Sequence, residues 1–453
     1  MEGHTVRFKQ PIGELPNVIA HVRNMELVNP FKEIPEDSKL VIKRGRVIDP
    51  FSKMDKVMDL AIRDGKILSV RESIEAARGD AIIDAEGLMV VPGLFDIHLH
   101  LYDLLTFDIP IMEEAVVHGV TTGLTPGAAN SLRAPSFLGS ELDRGSLMNM
   151  GVYLGALGLL GQNASDRELI AFMRGELDEN VGLQKISRSR FTLRTAPLAV
   201  GIKDHAAHFI LSEENMKRAA TIAAESNLLF MSHTQCSSYA EEIVKWSEGR
   251  PVHLGHADAT GTAGEKAYRT VLDLIRNNDH VTGELTTTLL RRSRGDRDGI
   301  VISEACRELS LNALREGVIN ILVSDTPSHS VKGFGDVKDS VPAILDLIEL
   351  GVLDPICAFA TMSTNPARLM AKVTGQDWWL KELGSLAEGS RADIAVINPL
   401  EKEVVYTFVN GAMVAFEGRI IKKGYGAGGF VTRFGILPGM GVGEVTRIKR
   451  VLD

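Results

Sequence analysis

Eight apolar, strand-like runs alternate with helix-like stretches through the middle of this chain, and that alternation limits the possible folds more than any other feature. The runs are Leu94 to His100, Gly119 to Leu124, Gly151 to Leu157, Pro197 to Lys203, Leu228 to His233, Val252 to His256, Val281 to Thr287 and Val318 to Asp325. Strands separated by helices pair in parallel, because the intervening helix carries the chain back to the end where it started. Eight such units over about 280 residues predict a (β/α)8 TIM barrel, a fold that places its chemistry at the strand C-termini.

The intervals support this reading. Glu213 to Ser226 and Glu265 to Arg276 have helical apolar spacing with charges on the opposite face, as expected of solvated outer helices. Outside the repeats the texture changes. Leu40–Arg44, Gly45–Asp49, Asp59–Arg63, Gly65–Val70 and Ala81–Asp84 alternate apolar and polar residues, with Asp64-Gly65 as a tight turn, and similar segments return at Arg391–Ile397, Val404–Val409 and Gly418–Ile421. Two distant segments of one character predict a small β-sandwich domain built from both ends of the chain. The expected boundaries are 1–35 for an N-terminal extension, 36–92 plus 376–425 for the sandwich, 93–375 for the barrel and 426–453 for a C-terminal extension. The extensions fit neither pattern and are expected to cover the barrel or form a subunit contact.

Composition narrows the partners. The 453 residues are 44% hydrophobic and 24% charged, an ordinary globular balance. A net charge of -9 argues against a nucleic-acid surface, which needs clustered Lys and Arg in excess, and leaves small molecules as the expected partners. The glycine-and-apolar stretch Gly151 to Gly161 is about half of the roughly 20 residues that cross a bilayer, so no membrane partner is expected. Met1 to Lys9 is polar and Cys236, Cys306 and Cys357 are isolated, which suits a reducing, cytoplasmic setting and excludes a Cys-x-x-Cys metal or redox motif.

The strand ends carry the chemistry. The first run ends in Asp96-Ile-His-Leu-His100, and side chains two apart on a strand share a face, so His98 and His100 aim together. Later runs end in Lys203, His233, His256 and Asp325. Nitrogen and carboxylate donors with open positions suit a catalytic divalent ion, whereas a closed structural zinc site would draw on thiolates. On the sixth run His256 lies past the apolar residues, while alternation turns His253 to the other face. His118, His205, His208 and His280 are expected at the surface or in packing, and His329, four residues past Asp325, is expected in an exposed loop.

With Thr364-Asn-Pro-Ala-Arg and Gly384-Ser-Leu-Ala-Glu-Gly-Ser-Arg-Ala-Asp-Ile-Ala-Val added to the His-x-His run, the chain resembles the amidohydrolase superfamily over about residues 36 to 425, in the branch of dihydroorotases, hydantoinases and isoaspartyl dipeptidases. The resemblance implies that His98, His100 and Asp325 hold one metal, that His233 and His256 hold a second, and that Lys203 bridges both as a carbamate. A protonated lysine has no lone pair for a metal, so its amine must first capture carbon dioxide. Lys185 is the alternative bridge; Lys203 is favoured because it closes the fourth run and is followed by Asp-His. Two ions, most simply Zn2+, would share a hydroxide, with Asp325 as general base and then acid in hydrolysis of an amide, cyclic amide or ureide, or N-acyl bond.

Where dihydroorotases carry an arginine two residues after the second histidine, this chain has Tyr102, which makes that particular activity doubtful. Tyr102 and Arg291, with Arg292 beside it, are the candidate substrate contacts. Two other readings remain open: a mononuclear aromatic-ring deaminase of the same superfamily, and a non-catalytic scaffold that keeps barrel and sandwich. The resemblance also implies a homo-oligomer, dimer or tetramer.

Overall fold

The computed structural model describes residues 38–103, 106–126, 131–206, 210–291, 301–327, 334–421 and 427–438. All eight expected runs contain barrel strands: β1 Leu94–Asp96, β2 Val120–Thr125, β3 Asn149–Gly155, β4 Gly201–Lys203, β5 Leu229–His233, β6 Val252–Gly255, β7 Val281–Gly283 and β8 Leu322–Val323. Neighbours from β1 through β7 pair in parallel, and Leu285–Thr286, which continues β7 past Glu284, pairs in parallel with β8. Asp325 N donating to His98 O at 3.0 Å joins the last strand's end to the first and closes the ring. Phe95, Leu124, Tyr153, Leu229, Met231 and Val323, from five different strands, form a buried cluster with Met370, Trp379 and Val431. This is the layered packing that makes such a barrel a core and not a pore.

Outer helices begin where the sequence places capping residues. Ser165 accepts from Glu168 N and Glu168 reaches back to Ser165, a capping box that starts the helix Asp166–Arg174. Ser212 caps Glu213–Glu225, and Glu265–Asn277 buries Tyr268, Val271, Leu272 and Ile275 on one face. No helix among the described residues is long and apolar enough to cross a membrane.

The two ends of the chain meet in one nine-stranded sheet, separate from the barrel. Leu40–Asp49, Met54–Arg63, Lys66–Arg71, Ala81–Asp84 and Met89–Pro92 come from the N-terminal side; Ile394–Asn398, Glu403–Val409, Ala412–Phe416 and Arg419–Ile420 come from the C-terminal side. The seam is the antiparallel pair of Met89–Pro92 with Ile394–Asn398. The two segments read from Leu40 to Asp49 are one strand, interrupted by a register shift between Ile42 and Gly45 where Arg44 takes a positive φ of 60°. Asp64 and Gly65 both have positive φ, 52° and 75°, the backbone of a two-residue hairpin turn. A side chain at Gly65 would also strike Asn410 Oδ1 at 2.4 Å.

The C-terminal region contains a feature that the sequence pattern does not reveal. Phe430–Thr432 and Gly435–Leu437 form a hairpin, and Phe430 pairs with Met150 at the N-terminal end of β3. Three-residue strands among glycines are too short for periodicity to register. Arg433, between the two strands, donates from Nη1 to Ser226 O at 2.6 Å and from Nη2 to Met173 O, near the C-terminal ends of two outer helices. A guanidinium there satisfies carbonyls that a helix end leaves unpaired and complements the negative end of its dipole. The N-terminal region 1–37 lies outside the described residues.

Candidate metal centre

The six candidate ligands reach the barrel mouth from five strand ends, and local backbone conformation aims them there. His98 and His100 follow β1; Lys203 ends β4 and His233 ends β5. His256 and Asp325, just past β6 and β8, take positive φ of 37° and 46°, a region that costs a non-glycine residue about 1–3 kcal/mol. The chain holds that strain at the two points where a strand must turn a donor into the mouth. Neighbouring carboxylates brace these turns. Asp96 accepts from His98 N and Ser324 N, both at 3.0 Å. Asp204 accepts from His233 N at 2.8 Å and from Ser232 Oγ at 2.6 Å.

The donor atoms converge. His98, His100 and Asp325 each offer an atom within 4.8 Å of the others, and all three residues are buried. Asp325 Oδ1 lies 3.2 Å from His98 Nε2 and 3.2 Å from His100 Nε2, while Asp325 Oδ2 accepts from Phe334 N at 2.6 Å. Lys203 Nζ is 2.9 Å from His98 Nε2. His233 Nδ1 and His256 Nε2 face each other at 3.0 Å, with the Phe334 ring 4.7 Å from the His256 ring.

Protonation turns this geometry into chemistry. Burial, with Lys203 facing the ring, holds His98 below its ordinary value, and burial drives His233 down to about 3 and His256 well below 6.5, so all three rings are neutral at pH 7. Burial would raise Asp325, but the hydrogen bond with His100 Nε2 acts against it, and the carboxyl is held well below the usual carboxylate range. His98 Nδ1 contacts the Glu284 carboxylate, which can only accept, so Nδ1 carries the ring proton and Nε2 presents a lone pair. That lone pair faces the Asp325 Oδ1 acceptor at 3.2 Å. Two buried acceptors at this distance call for a cation, a place that Lys203 Nζ takes at 2.9 Å from Nε2, and ligand atoms around a tetrahedral zinc ion with bonds of about 2.0–2.1 Å stand at a similar mutual spacing. The residues therefore fit a divalent ion on the donor set itself.

Other candidates fall elsewhere. Lys185 is bound to Glu168 Oε1 at 2.5 Å on the capping box of an outer helix, away from the mouth. Arg291 turns its guanidinium to Asp339 Oδ1 at 2.6 Å and Asp346 Oδ2 at 3.2 Å, and lines a cavity of about 740 Å3 with His118, Lys338 and Lys402 beside the terminal sheet; none of the histidine cluster lines that cavity among the described residues. The cause is the pair of carboxylates that hold the guanidinium: Asp339, just before the helix Ser340–Glu349, and Asp346 within it. Tyr102 is buried in the main apolar core, its backbone tied to Thr125 Oγ1 at 3.1 Å. His205, expected at the surface or in packing, is buried with its ring 5.4 Å from that of His233. Arg292, His208 and His329 lie outside the described residues.

Sequence reasoning passed over Glu284. It sits between Gly283 and Leu285 and is fully buried. Burial would raise it, but His98 and His253 outweigh that and hold it well below the usual range. Its second oxygen accepts from His253 Nε2 at 3.0 Å, and His256 N donates to its first at 3.1 Å. The available signal was a charged residue inside a strand run whose neighbours are buried, where an unpaired carboxylate would be costly.

Comparison with known proteins bears on the family and the fold. Residues 89–414 match the amidohydrolase family. The dihydroorotase of Geobacter sp. (strain M21) is 27% identical over 403 residues, covering 80% of this chain and 90% of the relative. The dihydroorotase of Bacillus licheniformis is 23% identical over 394 residues, 73% of this chain and 82% of the relative. Among solved structures, a D-hydantoinase superposes with a TM-score of 0.64 at 16% identity, covering 86% of this chain and 98% of its own. The dihydropyrimidinase from Brevibacillus agri NCHU1002 gives 0.64 at 16% identity, covering 87% and 98%; at such identity both likenesses speak for the fold alone. The match across most of the chain, on a closed eight-stranded barrel with His98, His100 and Asp325 drawn together at its mouth, establishes that the chain belongs to the amidohydrolase family.

Proposed function

We propose that this enzyme hydrolyses the carbon–nitrogen bond of a cyclic amide or ureide with two divalent metal ions, most simply Zn2+. The observation that carries the reading is the convergence of ligand atoms at the mouth: neutral His98 Nε2 beside ionised Asp325 Oδ1, and His233 Nδ1 beside His256 Nε2, all buried. His98, His100 and Asp325 would hold one ion, His233 and His256 the other, and Lys203, as a carbamate, would join them. The relatives named dihydroorotase support the ring substrate. Bound ions would polarise the scissile carbonyl and activate the attacking water.

The side chains do the rest. Asp325, kept ionised with the His100 hydrogen bond on Oδ1, accepts the attacking water's proton at Oδ2 and delivers it to the leaving nitrogen. The Phe334 N–H on Oδ2 fixes the carboxylate plane, and the Phe334 ring beside His256 keeps bulk water from that side. Tyr102 stands where an arginine clamps a carboxylate in dihydroorotases, so the substrate ring need not be anionic. The same reading takes the protein as a cytoplasmic homo-oligomer, dimer or tetramer; its cysteines are unpaired, as a reducing compartment favours. Metal analysis of the purified protein, paired with a screen of cyclic ureides, lactams, acylated amino acids and dipeptides, tests the proposal. About two ions per chain and turnover of a ring substrate are expected; full turnover after complete metal removal would overturn it.

A further inference from the structure

Among the buried charged groups that the mechanism leaves unused, Glu284 has the largest reach. One oxygen accepts from His98 Nδ1–H and from the His256 backbone N–H at 3.1 Å; the other accepts from His253 Nε2 at 3.0 Å, whose Nδ1 lies 2.8 Å from Thr282 Oγ1. A single carboxylate on β7's continuation thus grips a residue after β1 and two on and after β6. The space around it is closed: a Cβ on Gly255 would come within 3.1 Å of His98 Cε1 and 3.4 Å of Glu284 Oε1. A glycine there lets the histidine ring and the carboxylate share one layer.

We infer that Glu284 is the positioning residue of the metal centre, fixing the His98 tautomer that exposes Nε2 and setting the His256 backbone turn. The inference rests on the metal-site reading given above. Because a carboxylate accepts and never donates, it leaves His98 only one arrangement: proton on Nδ1, lone pair on Nε2. It also raises the basicity of that lone pair toward a cation. A glutamine in its place can turn an N–H toward Nδ1, which would reverse the ring's tautomer and place a proton where the ion must bind. Asp96 and Asp204 brace the backbone of His98 and His233 but touch neither ring, so they cannot set which nitrogen is free.

The test is metal titration of apo-protein in competition with a chromophoric chelator, on the full-length wild type and on E284Q, followed by E284D. Zn2+ is the probe, and apo-protein thermal unfolding is recorded alongside. For E284Q, Zn2+ affinity at one site should fall about 10–100-fold. Apo-protein unfolding should stay near wild type, saturating Zn2+ should restore kcat, and E284D should recover part of the affinity. Equal affinity of E284Q and wild type overturns the inference alone, as does an apo-protein that unfolds early in proportion to its lost affinity. A wild type that takes up no Zn2+ overturns the metal-site reading and this inference with it.

Discussion

The barrel has a buried polar network at each end, and the two are built on opposite rules. At the base, Asn149 Nδ2 donates to Asp393 Oδ2 at 2.7 Å and Thr122 Oγ1 at 3.1 Å, and Asn149 Oδ1 accepts from Arg391 Nη2 at 3.0 Å and Gly429 N at 3.1 Å. Asp393 also accepts from Asn410 N at 2.6 Å and pairs with Arg391 Nε at 3.3 Å. Donors meet acceptors there, and the network ties β2, β3, the terminal sheet and the C-terminal hairpin together. At the mouth, His98 Nε2 and Asp325 Oδ1, both acceptors, lie 3.2 Å apart with Lys203 Nζ beside them, and His256 Nδ1 has no hydrogen-bond partner among the described residues. A buried network of mostly matched donors and acceptors has structural work to do; one with lone pairs to spare is complementary to something it binds.

The comparison is broken or sharpened by perturbing each end in turn. The largest effect should come from chelation: stripping the metal is expected to abolish turnover with the fold intact by circular dichroism, since apolar layers hold the barrel together. Asp325→Asn should follow, lowering kcat by about 10²–10⁴-fold without loss of fold, as measured by steady-state kinetics and thermal unfolding. Unchanged kcat would remove Asp325 from proton transfer. Lys203→Ala should sharply lower the metal bound per chain, read by elemental analysis, whereas Lys185→Ala should leave it unchanged and only weaken a helix start.

At the base the readouts reverse. Asn149→Ala should destabilise the protein by about 2–3 kcal/mol in denaturant unfolding, because several buried groups lose partners, while metal content per folded molecule is unchanged. A loss of metal equal to the loss of stability would show that the two ends are not separable. Smallest for catalysis is Arg291→Ala. Its guanidinium is engaged by Asp339 and Asp346, so KM should not change, while the buried Asp339 loses its cation and stability should fall by about 1–3 kcal/mol. A large rise in KM would return Arg291 to the substrate.

What could be read from the chain divides along the same line. Apolar periodicity placed a run over each of the eight barrel strands and located the helices Glu213–Glu225 and Glu265–Asn277 to within a residue, because burial of one face is a local pattern; the runs at Leu94, Pro197 and Val318 overshoot their strands by four residues at one end, where mostly buried loop continues the apolar texture. Strand-end position also singled out His98, His100, Lys203, His233, His256 and Asp325, the residues whose donor atoms the structure draws together. Arg291 and Lys185 show the limit of that method. Both follow elements that point toward a site by sequence order, but nearby carboxylates claim them, and a partner 17 to 55 residues away leaves no local trace.

The sequence by itself determined the repeating unit, the terminal sheet segments and the residue types available at each strand end, since all of these follow from short-range spacing and side-chain chemistry. Tertiary structure alone decided which donors face which, that Glu284 dictates the His98 tautomer, and that Phe430–Leu437 pairs with the base of β3. The reason is physical: periodicity reports whether a side chain is buried, whereas hydrogen-bond direction, ring tautomer and the opposition of lone pairs exist only once residues far apart in the chain come within about 3 Å of one another.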